Sequence, residues 1–223
     1  MNNFQLVNCD TDSIMVAKPD GSPFSLEEQQ KLLTELNSQF PAKIRWEPDG
    51  YFQRVVILKA KNYILYDGKT IKTKGSSIRD GKREPALRQF INDLIEALVH
   101  QNTNYVEIYE KYAKEICNIT DIHRWKTKKT ITEKVLNPER TNEQKVKDAL
   151  GSAEYSEGDK AHFYYTSDGN LRLVEQWNGD YDKVRYLEKL YKTAMIFMNV
   201  IPKETFINYK LKRNQEGLEK LNE

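Results

Sequence analysis

Asp10 and Asp12 are the side chains of this 223-residue chain whose type and spacing point most directly to chemistry. They stand in Leu-Val-Asn-Cys-Asp-Thr-Asp-Ser-Ile-Met-Val, residues 6–16, an acidic tetrad between two short apolar runs. That pattern predicts a β-hairpin with two carboxylates at its tip. In an extended segment residues two apart face the same way, so both acids can aim at one point. Hard divalent cations such as Mg²⁺ take carboxylate oxygens and keep other positions for water or phosphate. The pair is thus a candidate half-site for metal-assisted phosphoryl transfer. The same residue types also form ordinary solvated turns, because Asp, Thr and Ser side chains bond to nearby backbone.

Other metal and thiol chemistries find no matching pattern. Counted from Asp10, the sixth position of an EF-hand loop would be Gly and is Met15, and the twelfth would be Glu and is Gly21. His100, His123 and His162 sit at no ligand spacing, and Cys9 and Cys117 match no zinc or redox motif. The cysteines read as reduced thiols. Positive charge is more informative. Lys59, Lys61, Lys69, Lys72, Lys74, Arg79, Lys82 and Arg83 face only Asp67 and Asp80 over residues 59–83, with Tyr63 and Tyr66 interleaved. Arg124, Lys126, Lys128 and Lys129 gather around Trp125. Either cluster alone can be a solvated face. Together, beside an acidic hairpin, they point to a polyanionic backbone. The net charge of +2 identifies nothing by itself.

The elements that must position these residues divide by texture. Pro19-Asp20-Gly21 makes a turn, and Ser25-Leu26-Glu27-Glu28 is a capping box opening a helix with Leu32, Leu33, Leu36 and Phe40 on one face, ending near Pro41. Strands are predicted at 43–46, 51–58 and 63–66, with a hairpin at Asp67-Gly68. Beyond Pro85, Leu87 to Leu98 and Val106 to Ile116 follow helical spacing. The basic stretch 126–134 reads as a loop before a helix near 142–150. A hairpin is predicted at 162–166 and 171–174, and a final helix from Asp182 to about Asn199. Strands before about residue 84 and helices after it predict two subdomains, 1–84 and 85–223. No apolar run approaches the ~20 residues of a membrane span, and Met1-Asn2-Asn3 does not open a signal peptide. The expectation is a cytoplasmic mixed chain, in a host cell if the source is viral.

Taken in order, these motifs resemble the C-terminal part of a family B DNA polymerase. Asn8-Cys9-Asp10-Thr11-Asp12-Ser13 resembles the Asp-Thr-Asp-Ser palm motif, usually preceded by a Tyr-x pair. Ala60-Lys61-Asn62-Tyr63 is similar to the Lys-Lys-Arg-Tyr motif, keeping the second Lys and the Tyr. Lys72-Thr73-Lys74-Gly75 matches a Lys/Arg-Gly turn, and Ile78-Arg79-Asp80 a basic-acidic step. The helices, the basic stretch, Gly158 to Tyr164 and the last helix resemble a thumb. The resemblance implies an α+β fold: an antiparallel palm sheet remnant with a helix across it, then a mainly helical thumb with a small β-hairpin. It also implies that Asp12 is the principal metal ligand, with Asp10 shaping the turn or the outer shell of a Mg²⁺ site. Lys61 and Tyr63 would meet the primer end. Lys72, Lys74, Gly75 and Arg79, with Arg124, Lys126, Lys128 and Lys129, would meet primer–template DNA through phosphates and the minor groove.

An earlier palm carboxylate and the helix that holds the incoming dNTP have no counterpart in the sequence, and neither do the N-terminal, exonuclease and fingers parts. The expectation is therefore a split or fragmentary enzyme of viral or phage type, inactive without a second polypeptide carrying the remaining palm motifs. Two other classes stay open: a non-catalytic DNA-binding module, and a stand-alone metal-dependent phosphoesterase. The tail from Glu216 to Glu223 carries no aromatic pair of the kind clamp-binding peptides use.

Overall fold

The computed structural model describes residues 4–209, so the opening Met1-Asn2-Asn3 and the 216–223 tail lie outside the described residues. The chain is α+β, with three small antiparallel sheets and six α-helices among the described residues. It divides into two compact units, Met1–Gly75 and Ser76–Glu223, where the change of texture had placed a boundary near residue 84.

In the first unit, β1 (Gln5–Asp10) and β2 (Ser13–Ala17) form a two-stranded hairpin. Leu6 pairs Val16 and Asn8 pairs Met15, which leaves Val7 as a bulge. Bulges sharpen local twist and re-aim the strand beyond them. The helix α1 (Leu26–Ser38) starts as predicted, with the Glu28 amide donating to Ser25 Oγ at 3.1 Å and the Ser25 amide to Glu28 at 2.7 Å. Lys18, just past β2, adds a 2.7 Å ion pair to Glu28. This ammonium and the Ser25 amide hold the Glu28 carboxyl below its ordinary pKa. No residue of α1 is fully buried.

A separate three-stranded meander follows, β3 (Arg54–Lys59), β4 (Asn62–Tyr66) and β5 (Ile71–Lys74). The expected single sheet is thus a hairpin and a meander. The strand expected at 43–46 is irregular instead. Its backbone is claimed by a side chain: the Trp46 amide donates to Asn37 Oδ1 at 2.7 Å and Asn37 Nδ2 donates to the Trp46 carbonyl at 3.0 Å. The Ile44 amide closes a turn onto the Pro41 carbonyl. With its hydrogen bonds met at the end of α1, the segment has no need of a ladder.

The second unit packs α2 (Pro85–Val99), α3 (Tyr105–Cys117) and α6 (Lys183–Ala194) together. Phe90, Tyr109, Tyr112, Trp125 and Tyr186 are fully buried there. The stretch expected to be a loop at 126–134 contains β6 (Thr127–Thr130) and α4 (Glu133–Leu136). β6 pairs with β7 (Lys160–Tyr165), which pairs with β8 (Leu171–Leu173). One face of this sheet, with α4 and α5 (Thr141–Leu150), closes a cluster of Ile131, Val135, Val146, Leu150, Ala161, Phe163 and Leu173. The final helix ends at Ala194 and continues as a 3₁₀ turn at Met195–Phe197. Glu84, 4% exposed, accepts from Thr127 Oγ1 at 2.9 Å and from Lys189, so it ties the start of α2 to β6 and α6. Among the described residues no helix is long and apolar enough to cross a membrane.

Deleting the Phe163 ring removes a side chain with no exposed area from that cluster. Phe163→Ala should therefore cost about 3–5 kcal/mol in urea unfolding. Leu26→Ala, at a position 83% exposed, should stay within about 0.5 kcal/mol. Equal losses at the two positions would contradict this account of where the core lies.

Candidate metal and nucleic-acid site

The hairpin tip is tighter than an extended Asp-x-Asp. Asp10 pairs with Ser13, so Thr11 and Asp12 are the two central residues of the turn. Thr11 has φ 58°, whereas Asp12 is not among the left-handed residues. A single positive φ at the first central position is the pattern of a type II′ turn, where glycine is the usual occupant. A β-branched residue there is strained by an amount of order 1–3 kcal/mol. The two acids therefore do not share one face of a strand. Asp10 closes β1 and Asp12 stands on the exposed turn. Thr11 Oγ1 donates to Asp10 Oδ1 at 3.2 Å, and Ser13 Oγ donates to the Asp10 carbonyl at 3.0 Å. Among the described residues the Asp12 carboxylate has no hydrogen-bond or ion-pair partner.

The β3–β4 tip also holds a non-glycine residue at positive φ, here at its second central position. Lys59 pairs with Asn62, leaving Ala60 and Lys61 in the connection, and Lys61 has φ 60°. Only three non-glycine residues among those described have positive φ, and two of them are at these tips. The tips meet: Lys61 Nζ lies 3.7 Å from Asp10 Oδ1. Tyr63, two residues on, is buried, and that burial, with the negative charges of Asp10 and Asp49 adding, pushes its phenol above its ordinary pKa. Across the meander Tyr63 pairs with Lys74 and Leu65 with Lys72, so both exposed lysines leave the face that carries Tyr63. Lys72 Nζ lies 5.9 Å from the Phe52 ring centroid. Gly75 ends the unit at φ 106°, where an added Cβ would run into the Asn62 side chain and the Lys61 carbonyl. Thus Asp10, Lys61, Tyr63, Lys74 and Gly75 converge on one region, with Asp12 at its tip.

The remaining predicted cations belong to the second unit and are not equivalent. Arg79 is exposed in the turn-rich segment before α2. Arg124 is committed to Glu115, with Nε to Oε1 at 2.7 Å and Nη2 to Oε2 at 3.2 Å, while Trp125 Nε1 adds a third bond at 3.0 Å. This contact, before any other influence, holds the guanidinium pKa above its ordinary value. Lys128 pairs with His162 and Lys129 with Ala161. Lys128 therefore leaves the outward face of the sheet and Lys129 the face that packs on the core. The same register places Lys160 and His162 beside Lys128, which the sequence analysis did not select. The signal that finds them is the alternation of β7 once its pairing is known.

The donor set at the tip is of the kind Mg²⁺ accepts, one or two carboxylates with positions left for water and phosphate. No group of three or more His, Cys, Asp or Glu side chains able to hold a metal is found among the described residues. The hairpin thus fits half of a metal site, with Asp12 open and Asp10 already engaged by Thr11 and Lys61.

An α+β chain of small antiparallel sheets and helices, bearing an acidic hairpin against a basic turn, is the class of structure these observations define. No protein-family model matches the chain, and no curated protein matches it in sequence. Among solved structures, the family B DNA polymerase from the hyperthermophilic archaeon Pyrobaculum calidifontis is similar over 88% of this chain, with a TM-score of 0.64 and 16% identity. The chain spans 27% of that polymerase chain. The fold is polymerase-like.

The glycine that ends the meander supplies a check on the geometry. Gly75→Ala must find room against Asn62 and Lys61 at a left-handed backbone, so it should lose about 1–3 kcal/mol in thermal unfolding. Gly21→Ala, at φ 72° with open space around it, should lose less. The reverse order would overturn the close approach of Gly75 to the Lys61 turn.

Proposed function

We propose that this chain is the palm-end and thumb part of a template-directed DNA polymerase of family B, with 1–75 bearing the catalytic hairpin and 76–223 holding duplex. The observation that carries the reading is the contact between the Asp10–Asp12 hairpin and the Lys61 turn, in a chain whose fold is polymerase-like over 88% of its length. Asp12 would hold Mg²⁺, and that ion, when bound, supplies charge neutralisation for phosphoryl transfer. Asp10 keeps the Lys61 ammonium beside the hairpin, where the primer terminus would lie. Lys72 and Lys74, on the face of Tyr63, neutralise backbone phosphates without reading sequence. A second polypeptide, or further chain, carrying the remaining palm carboxylate, fingers and exonuclease parts would complete the site and bind the dNTP. The half-filled donor set favours that need.

The same half-set also favours a second reading, in which the chain binds DNA and performs no chemistry. Primer extension with Mg²⁺ and all four dNTPs separates the two, using the chain alone and with the product of the adjacent open reading frame. Synthesis is expected only in the mixture. Asp12→Asn should reduce it by at least about a hundredfold, while Kd for primer–template stays within about twofold; losing one ligand of an essential metal removes several kcal/mol of transition-state stabilisation. Lys61→Ala and Lys74→Ala should instead weaken DNA binding and flatten its salt dependence. Unchanged synthesis by the Asp12→Asn mixture would sink the catalytic reading.

A further inference from the structure

The β6–β7–β8 sheet buries Ala161, Phe163 and Leu173 on one side. Alternate residues point the other way. On that outward side Lys128 lies directly across from His162, Thr130 from Lys160, and Tyr164 from Arg172. Lys128 and Lys160 are exposed, and Lys126 and His162 half-buried. Lys128 is the neighbour of His162 on β6, and the charges of Lys126, His123 from the 3₁₀ turn Ile122–Arg124, and Glu175 from the 3₁₀ turn Val174–Gln176 also act on the ring. Asp180 lies 3.9 Å from Arg172. Among the described residues Lys126, Lys128 and Lys160 have no carboxylate partner. This is a basic face that carries an imidazole directly across from Lys128, with Glu175 the carboxylate whose charge acts on that imidazole.

We propose that this face is a nucleic-acid backbone site in which His162 takes up a proton as a phosphodiester settles between it and Lys128. Burial first, then Lys126, Lys128 and His123, hold the imidazole below its ordinary pKa, outweighing the opposite pull of Glu175. The ring is therefore neutral at neutral pH. An anion placed among these groups removes the repulsion and favours the imidazolium. Proton and phosphate then strengthen each other's binding by the same factor. The sign follows: affinity rises as pH falls through the raised pKa of the complex, and levels off below the depressed pKa of the free protein. A phosphate backbone suits the face better than an acidic peptide. Its cations sit on neighbouring strands about 4.8 Å apart and on alternate residues about 6.8 Å apart, a regular array for a regularly charged strand. The proposal rests on the nucleic-acid reading of this chain but not on catalysis at Asp12.

The test is fluorescence anisotropy of the full chain with a short fluorescein-labelled DNA duplex, from about pH 8 to about pH 6 at constant ionic strength. The unmodified chain should bind more tightly as pH falls, by up to about tenfold per pH unit for one linked proton. His162→Gln should match it near pH 8 and fail to tighten, while His100→Gln should behave like the unmodified chain. Lys160→Gln should weaken binding at every pH and lower the salt slope. In parallel, NMR titration of the His162 ring in the unmodified chain should give a higher pKa with duplex present. An unmoved His162 pKa, or undiminished tightening in His162→Gln, would overturn the proposal while leaving the polymerase reading intact. Displacement of the duplex by polyglutamate as readily as by unlabelled DNA would overturn it in favour of an acidic peptide. No binding to duplex at any pH would overturn both.

Discussion

The site in the first unit depends on one contact, the approach of the Lys61 ammonium to the Asp10 carboxylate across two turns that both hold a non-glycine residue in the left-handed region. As an energy term it is small. The Lys61 side chain is 75% exposed, and exposed ion pairs contribute little to stability. Its importance is positional. A β-branched residue at positive φ in a two-residue turn persists only where its surroundings over-determine it. Here the Ser13 bond to the Asp10 carbonyl and the Thr11 bond to the Asp10 side chain both fall on Asp10. The result separates two acids that look equivalent. Asp10 is engaged by a hydroxyl and an ammonium, whereas Asp12 is held out on the turn.

The second unit solves a different problem, keeping a small sheet beside a helical core. Glu84 connects the start of α2 with β6 and α6 from an almost fully buried position, and Glu115 fixes both Arg124 and Trp125. A carboxylate as buried as Glu84 needs such partners, since an unpaired charge in a core is strongly unfavourable. One consequence is a division of labour among cations that are adjacent in sequence. Arg124 is held by Glu115, Lys129 leaves the packed side of its strand, and Lys126 and Lys128 have no carboxylate partner among the described residues.

Much of this organisation is legible in the sequence because its signals are local. The hairpin tip, the capping box at Ser25 and the Asp67-Gly68 turn each rest on side chains bonding to backbone a few residues away. Helices α2 and α3 follow from apolar spacing. What escaped the sequence is non-local. Residues 43–46 have strand composition, yet Asn37 takes the hydrogen bonds of Trp46 and the Pro41 carbonyl that of Ile44. Thr127-Lys128-Lys129-Thr130 has no apolar alternation, and becomes a strand only because β7 lies beside it. The order and spacing of Asp10, Asp12, Lys61 and Lys74 are what single out the candidate site in the sequence. The left-handed turns that set their geometry carry no glycine to announce them.

The central claim is that Asp12, supported by the Asp10–Lys61 contact, is the open ligand of a divalent metal site at the primer end. Mn²⁺, which suits the same oxygen donors as Mg²⁺, can report this directly through paramagnetic broadening of this chain's amide resonances in its mixture with the product of the adjacent open reading frame, primer–template and dNTP. The account predicts that broadening centres on Thr11, Asp12 and Ser13, reaches Lys61, and disappears in Asp12→Asn. Broadening centred elsewhere, or unchanged by that substitution, would contradict it.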